Sequence, residues 1–345
     1  MVDDRPAVGV VVVAYRSADE LPGTLGALVP QLGERDELVI IDNASRDGTA
    51  EVARRAAPRA MVIEAGANLG FAAGANVGAR ATRAPLLFFL NPDARPEPGC
   101  LDALRDAALA HPDWGAWQAL VLLPGGELVN TSGGMTHFLG FGWAGECEQP
   151  VARVADGPAE VSFASGASLV VRREAWERVG GFDDSYFMYG EDLDLGLRLW
   201  LAGWRVGMVP EARVVHAYEF ARGSWKWFLL ERNRWSTVVA DYPTPVLLAV
   251  LPALLAFELA LLPVAARAGW LGAKLRAQAA VVRSLPRLLR RRRRVQELRV
   301  ASPRAFAAHL TATLDSPYLA AARRAPALVR LQAWYWRTAR GLLPS

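Results

Sequence analysis

The sequence predicts an α/β fold, a mostly parallel sheet covered by helices on both faces. Three observations carry this. The first hundred residues hold four short apolar runs rich in β-branched or aromatic residues, segments of helical spacing separate them, and each run ends on a polar residue.

Val8–Ala14 is the first strand, continuous in its apolar character as a strand buried on both faces must be. Helical spacing follows over residues 19–32, then a second strand over 38–41. Asp47-Gly48-Thr49 supplies a turn and a cap for a helix over 49–57. Met61–Glu64 is the third strand, residues 71–82 the third helix and Leu86–Leu90 the fourth strand. Gly70, Gly74 and Gly78 recur every four residues, which suits close packing of one helix face on the sheet. They lack the Gly-x-Gly-x-x-Gly spacing of a dinucleotide fingerprint and follow the third strand, not the first.

Ligands of such sheets sit at the carboxyl ends of the strands. The residues there are Tyr15, Asp42 and Asn43, Asn68, and Asn91-Pro92-Asp93. Asp and Asn at these places also serve as ordinary helix caps. Asp93 resists that reading, because Pro92, Pro96 and Pro98 hold the chain off a helical path. Farther on, Ser165 to Val171 reads as a strand and Arg173–Val179 as a helix. Gly180-Gly181-Phe182-Asp183 then leads to a helix over 191–202 opened by Glu191, Asp192 and Asp194. A helix dipole accounts for acids in a first turn, but three in four positions exceed what capping requires. Val214-Val215-His216 ends another strand with one of only four histidines.

The chain has 345 residues, 52% hydrophobic and 21% charged, which excludes a disordered protein. Two cysteines exclude a disulfide framework or a four-thiolate zinc site. Asp3 and Asp4 before a seven-residue apolar run are unlike a signal peptide, and the expectation is an intracellular protein. The net charge of +4 hides a strong asymmetry: residues 267–345 carry 17 Lys and Arg against two acids, so the remainder is acidic. Such a basic part seeks a polyanion, nucleic acid or an anionic membrane surface.

The stretches Val12 to Ser17, Ile41 to Thr49, Asn68 to Asn76, Asn91 to Ala94, Gly180 to Asp183 and Glu191 to Leu195, in their order and spacing, resemble the family 2 glycosyltransferases of GT-A fold. They are most similar to the bacterial rhamnosyltransferase-like branch. The resemblance spans roughly residues 8–242. It implies a nucleotide-diphospho-sugar transferase fold with a nucleotide-sugar donor bound by Tyr15, Asp42, Asn43, Asn68, Gly70, Asn91 and Asp93. It also implies a divalent metal, Mg²⁺ or Mn²⁺, on Asp93 and His216. Asn91 stands where the full Asp-x-Asp motif has its first carboxylate, so this chain offers fewer metal carboxylates. The family motif makes Asp192 the base, with Glu191 as the alternative, and in-line attack would invert the anomeric centre. Asp42 in its implied place can accept from the N3–H of uracil or thymine, which favours a UDP- or dTDP-sugar, possibly dTDP-rhamnose. Arg172, Arg198 and Arg232 are available counter-charges for a diphosphate.

Two regions follow: a catalytic domain over 1–242 and a helical, basic, membrane-associated extension over 243–345. Residues 246–266 are apolar apart from Glu258 and nearly long enough to span a bilayer, but Pro252 and Pro263 interrupt them. A single crossing would part the catalytic domain from the Arg290 to Arg294 run, and both belong on the cytoplasmic side. A re-entrant hairpin, an interfacial helix or a packed helix pair remain. The expected function is inverting transfer to a saccharide or lipid-linked saccharide acceptor in cell-envelope polysaccharide synthesis, at the cytoplasmic face of the membrane. The competing readings are a nucleic-acid-binding protein using the arginine run and a catalytically inactive membrane scaffold. The run lacks interleaved aromatics and any known nucleic-acid motif, so no nucleic-acid partner is expected.

Overall fold

The computed structural model describes residues 5–217, 224–313 and 326–345. Its first half alternates β1 (Val8–Ala14), α1 (Leu21–Leu28), β2 (Glu37–Asp42), α2 (Thr49–Ala56), β3 (Met61–Glu64), α3 (Gly70–Ala81) and β4 (Leu86–Leu90). β1 pairs in parallel with β2 and β4, and β2 with β3. Period-two alternation splits β1 between two cores. Val10 and Val12 meet Leu25, Ile40, Phe88 and Leu104 on one face, while Val11 and Val13 meet Ala75, Phe89, Phe182 and Leu199 on the other. The glycine face of α3 lies on this second side, where a Cβ at Gly78 would collide with Val11.

The second half makes the sheet mixed. After β5 (Ala94–Pro96) and α4 (Cys100–Ala110) come β6 (Trp114–Leu122), β7 (Val129–Thr131), β8 (Gly134–His137), β9 (Gly142–Ala144), β10 (Ala159–Glu160) and β11 (Ser168–Arg172). β11 enters antiparallel between β4 and β6, so the parallel pairing expected from the first hundred residues is interrupted after β4 and the sheet as a whole is mixed. α5 (Arg173–Val179) and α6 (Glu191–Leu201) follow, then β12 (Arg205–His216), which runs parallel to β6 and antiparallel to β5. The last register pair sets His216 against Ala94.

The helices α7 (Ser224–Asp241), α8 (Thr244–Arg267), α9 (Leu271–Glu297), α10 (Pro303–Ala307) and α11 (Pro326–Gly341) complete the described chain, with β13 (Leu310–Thr311) beside β8. Their core joins Tyr242, Val246, Val250, Phe306 and Trp336 to Leu193, Leu197 and Leu201 of α6. α8 is long and apolar enough to cross a membrane, with mean hydropathy 2.3, yet 22% of its most apolar window is buried within the protein. Leu248, Leu255 and Leu259 on α8 and Val282 and Leu289 on α9 stand exposed. Glu258 does not: it is buried against Arg234 and Lys274, which explains a charge inside the apolar run.

Candidate active site

The pairing of His216 with Ala94 brings the end of β12 to the residue that follows β4. His216 Nε2 accordingly lies 3.1 Å from Asp93 Oδ1 and 3.5 Å from Asn91 Nδ2. Asn130 of β7 donates to the His216 carbonyl at 3.1 Å and fixes that strand end. Burial alone would raise the Asp93 carboxyl, but the hydrogen bond and charge of His216 outweigh it and hold the group below the ordinary aspartate range.

Asp192 reaches the same region from α6. The α6 helix starts after Gly190, whose φ of +83° is a left-handed conformation that glycine adopts without strain. Asp192 Oδ2 accepts from the Gly166 N–H at 3.2 Å and Oδ1 from the Leu193 N–H at 2.8 Å. Gly166 belongs to the turn into β11, and the carbonyl of its neighbour Ala167 accepts from Asn91 N–H at 3.2 Å, so that turn ties Asp192 to the end of β4. Burial raises the Asp192 carboxyl, and the Gly166 and Leu193 N–H groups oppose the rise. Glu191 is pushed well above the glutamate range, by burial first and by the charge of Asp192 second. Of the two acids, Asp192 is therefore the one poised to ionise and Glu191 the one kept neutral.

A cavity of about 1200 Å³ opens on Asn91, His216, Glu191 and Asp192 and extends past Phe141, Trp143 and Trp227 to Trp270 in the α8–α9 turn. Trp227 and Trp270 stack there with centroids 4.8 Å apart.

The loop that delivers Asp192 is held from outside. Asn233 of α7 donates to the carbonyls of Tyr186, Met188 and Tyr189 at 3.1, 3.0 and 2.7 Å. Arg232 takes the carbonyls of Ser185 and Tyr186, each at 2.8 Å.

Residues 9–179 match the Glycosyl transferase family 2 profile and residues 140–319 that of Glycosyl transferase family 21. The N-acetylglucosaminyl-diphospho-decaprenol L-rhamnosyltransferase of Mycobacterium tuberculosis is 35% identical over 229 residues, covering 60% of this chain and 75% of that protein. The chain belongs to glycosyltransferase family 2. Its fold is GT-A, and the likeness to that mycobacterial enzyme makes it rhamnosyltransferase-like. The mannosyltransferase PcManGT from Pyrobaculum calidifontis, solved with GDP-Man and Mn²⁺, superposes with a TM-score of 0.53 at 21% identity over 86% of both chains. GalNAc-T7, solved with UDP, GalNAc and Mn²⁺, gives 0.57 at 15% identity over 70% of this chain and 49% of its own.

Within this glycosyltransferase the other residues expected at the donor site divide. Tyr15 at the end of β1 is 44% exposed and Asn68 is exposed. Asn68 caps α3, accepting from Gly70 N–H at 2.9 Å. Asp42 is buried and accepts from Ser45 N–H at 3.1 Å through Oδ1. The Asn43 side chain serves the fold: its amide donates to the Gly70 carbonyl at 3.0 Å and accepts from Leu69 N–H at 3.4 Å. Gly70 has φ +76°, and a Cβ there would strike the Phe187 carbonyl, so it seats the α6 loop against α3.

The counter-charges expected from sequence are occupied elsewhere. Because β11 is antiparallel, Arg172 pairs with Leu86 at the far end of the sheet, where it donates to the carbonyls of Trp114, Ala108 and His111. Arg198 is buried on Asp194, and Arg232 holds the loop. The arginine run also divides. Arg290, Arg293 and Arg294 are exposed, whereas Arg291 is buried among Asp183, Asp194 and Asp241 and Arg292 donates to the carbonyls of Val239 and Tyr242.

Among the described residues no group of three or more His, Cys, Asp or Glu could hold a metal ion. Asp93 and His216 still suit a divalent cation whose remaining positions are filled by phosphate oxygens and water, the usual way Mg²⁺ is held at nucleotide sites.

Proposed function

We propose that this glycosyltransferase transfers a sugar, with inversion, from a UDP- or dTDP-sugar to a hydroxyl of a lipid-linked saccharide in cell-envelope polysaccharide synthesis. dTDP-rhamnose is the proposed donor and an N-acetylglucosaminyl-diphospho-polyprenol the proposed acceptor. The relative from Mycobacterium tuberculosis is named for rhamnosyl transfer to an N-acetylglucosaminyl-diphospho-decaprenol, which supports the sugar and the acceptor class, while the dTDP carrier rests on Asp42 accepting from a pyrimidine N3–H. The observation that carries the reading is that Asp192 and His216 open on one cavity, and His216 touches Asp93.

In this reading Tyr15 and Asp42 receive the nucleoside at the β1 and β2 ends, and Asn91 and Asp93 receive the diphosphate at the β4 end. Asp93 and His216 would hold a divalent metal, Mg²⁺ or Mn²⁺, which when bound would supply positive charge against the diphosphate. Asp192 removes the proton from the acceptor hydroxyl as its oxygen bonds to the anomeric carbon. The bond from that carbon to the phosphate oxygen breaks on the opposite face, and its electron pair leaves with the nucleoside diphosphate. Neutral Glu191 beside Asp192 keeps a second negative charge away from the incoming nucleophile.

The exposed leucines of α8 and α9, with Arg283, Arg287, Arg290, Arg293 and Arg294 exposed on α9, form an amphipathic face suited to lie on an anionic cytoplasmic leaflet. A core helix would bury its apolar surface, whereas most of the apolar window of α8 is open. The decisive assay incubates the full chain with dTDP-rhamnose, Mn²⁺ and a short-prenyl N-acetylglucosaminyl diphosphate. Formation of the rhamnosylated lipid supports the reading; no product with this donor, but product with another nucleotide sugar, overturns the donor assignment.

A further inference from the structure

Arg291 lies 97 residues beyond Asp194 in sequence, yet it closes the segment that presents Asp192. Its Nε lies 2.6 Å from Asp183 Oδ2, where that segment begins. Its Nη2 bonds Asp194 Oδ1, two residues beyond Asp192, and also faces Asp241 Oδ1 at 3.3 Å. Its Nη1 meets the Ser236 carbonyl at 3.4 Å. Between the two grips the chain has only one short turn, at residues 184–186, and passes through left-handed backbone at Phe187 (φ +65°) and Tyr189 (φ +69°), conformations that persist only when the surroundings impose them. Asp194 itself is fully buried and receives Tyr186 Oη at 3.0 Å and Arg198 Nη2 at 2.6 Å.

A buried guanidinium shared by three aspartate side chains could merely join α9 to the domain. Its placement argues for more, since it grips both ends of one segment and Asp194 shares the first turn of α6 with Asp192. Any shift of Asp194 is carried to Asp192 through a rigid turn, and a base displaced by about 1 Å can cost a hundredfold in rate. We propose that Arg291 of α9 is a positioning residue for the catalytic loop, clamping Asp183 to Asp194 so that Asp192 faces the acceptor hydroxyl. This rests on Asp192 being the base.

The test uses full-length Arg291→Ala and Arg291→Lys with dTDP-rhamnose and the short-prenyl acceptor, together with hydrogen exchange of peptides over 184–193 without any substrate. The clamp predicts that Arg291→Ala lowers kcat by about 100-fold. Acceptor KM and calorimetric dTDP affinity stay within about threefold, and exchange quickens over 184–193 and not in β1 or β4. Added guanidinium ion restores part of the Arg291→Ala rate, and Arg291→Lys falls between. Unchanged exchange over 184–193 in both variants overturns the proposal, as does a loss of kcat, KM and dTDP binding together in proportion to the fraction unfolded. Should the wild-type chain not use dTDP-rhamnose, or Asp192→Asn keep full activity, the functional reading fails while the exchange comparison still decides on the clamp.

Discussion

Asp93 Oδ1 and His216 Nε2 stand 3.1 Å apart although 123 positions separate them, because the antiparallel β5–β12 pair ends in register at Ala94 and His216. Changing Asp93 to Asn removes a carboxylate without disturbing that register. Mn²⁺-dependent binding of dTDP or UDP should fall by at least about tenfold, and His216→Ala should weaken it by a similar or smaller factor. Titration calorimetry with and without Mn²⁺ measures this, and equal metal-dependent affinities in wild type and Asp93→Asn would contradict the assignment.

Asp192→Asn keeps the size of the side chain but only one of its two acceptor oxygens, so it retains one of the bonds from Gly166 and Leu193 and cannot take a proton. Transfer should drop by about 10²- to 10⁴-fold with nucleotide affinity retained. Because burial raises the Asp192 carboxyl and activity needs it ionised, the acid limb of kcat against pH should lie above the ordinary aspartate range. Glu191→Gln, which preserves a neutral group, should leave most of the rate and that limb nearly unmoved, since burial and not a charge on Glu191 raises the Asp192 carboxyl. If Glu191→Gln abolishes transfer and Asp192→Asn does not, the roles are exchanged.

Asn233 spreads its two amide hydrogens over three loop carbonyls, so Asn233→Ala leaves the carbonyls of buried Tyr186 and half-buried Met188 and Tyr189 without that donor. A loss of about 1 to 3 kcal/mol in unfolding free energy is expected. Chemical denaturation reads it, and a change below about 0.5 kcal/mol would mean that water replaces the amide.

Stability should depend on pH in two opposite windows. Burial alone would raise Asp194, but Arg198 and Arg291 hold it down at about 2, below its unfolded value. Its contribution is therefore complete above about pH 4 and is lost as pH falls towards 2, on the order of 2 kcal/mol. Asp241 goes the other way: burial, then the charge of Asp194, lifts it well above the usual range, so it folds protonated and costs stability as pH rises above about 4. Asp241→Asn should thus gain stability at neutral and alkaline pH and little near pH 4. Urea denaturation across pH 4 to 9 tests the difference.

Membrane affinity should follow the exposed residues alone. Leu255→Gln with Leu259→Gln should reduce partition onto vesicles of phosphatidylcholine and phosphatidylglycerol by at least about tenfold. Arg290, Arg293 and Arg294 changed together to Gln should remove most of the salt-sensitive part, each being worth about 1 kcal/mol near the surface. Sedimentation with vesicles at two salt concentrations distinguishes the two; unchanged pelleting in both variants would remove α8 and α9 as the docking face.

How much of this could be read from residues alone depends on the range of the forces involved. β1 and β4 begin and end where their apolar runs do, because strands buried on both faces must be apolar throughout, and the part-exposed edge strand β3 keeps the bounds of its own run. Asp93, Asp192 and His216 were legible as polar groups at element ends. Asn43 marks the limit of such reading: nothing local says whether an amide after a strand turns outward or towards the next helix, and here it bonds Gly70 and Leu69. The arginine run misled more strongly. Five consecutive cations look like one solvated patch, but α9 turns Arg291 inward towards acids supplied by the α5–α6 connection, α6 and α7, and no local pattern reports partners so distant in sequence. Asn233 escaped notice for the same reason, and Arg232, expected as a counter-charge, holds loop carbonyls instead.

The pairing of β13 with β8 sets Leu310 beside Thr136, and β8 carries Gly134 into the wall of the cavity. A chain cut short before Leu310 would leave β8 paired with β9 alone, and the cavity wall at Gly134 would lose the strand that backs it.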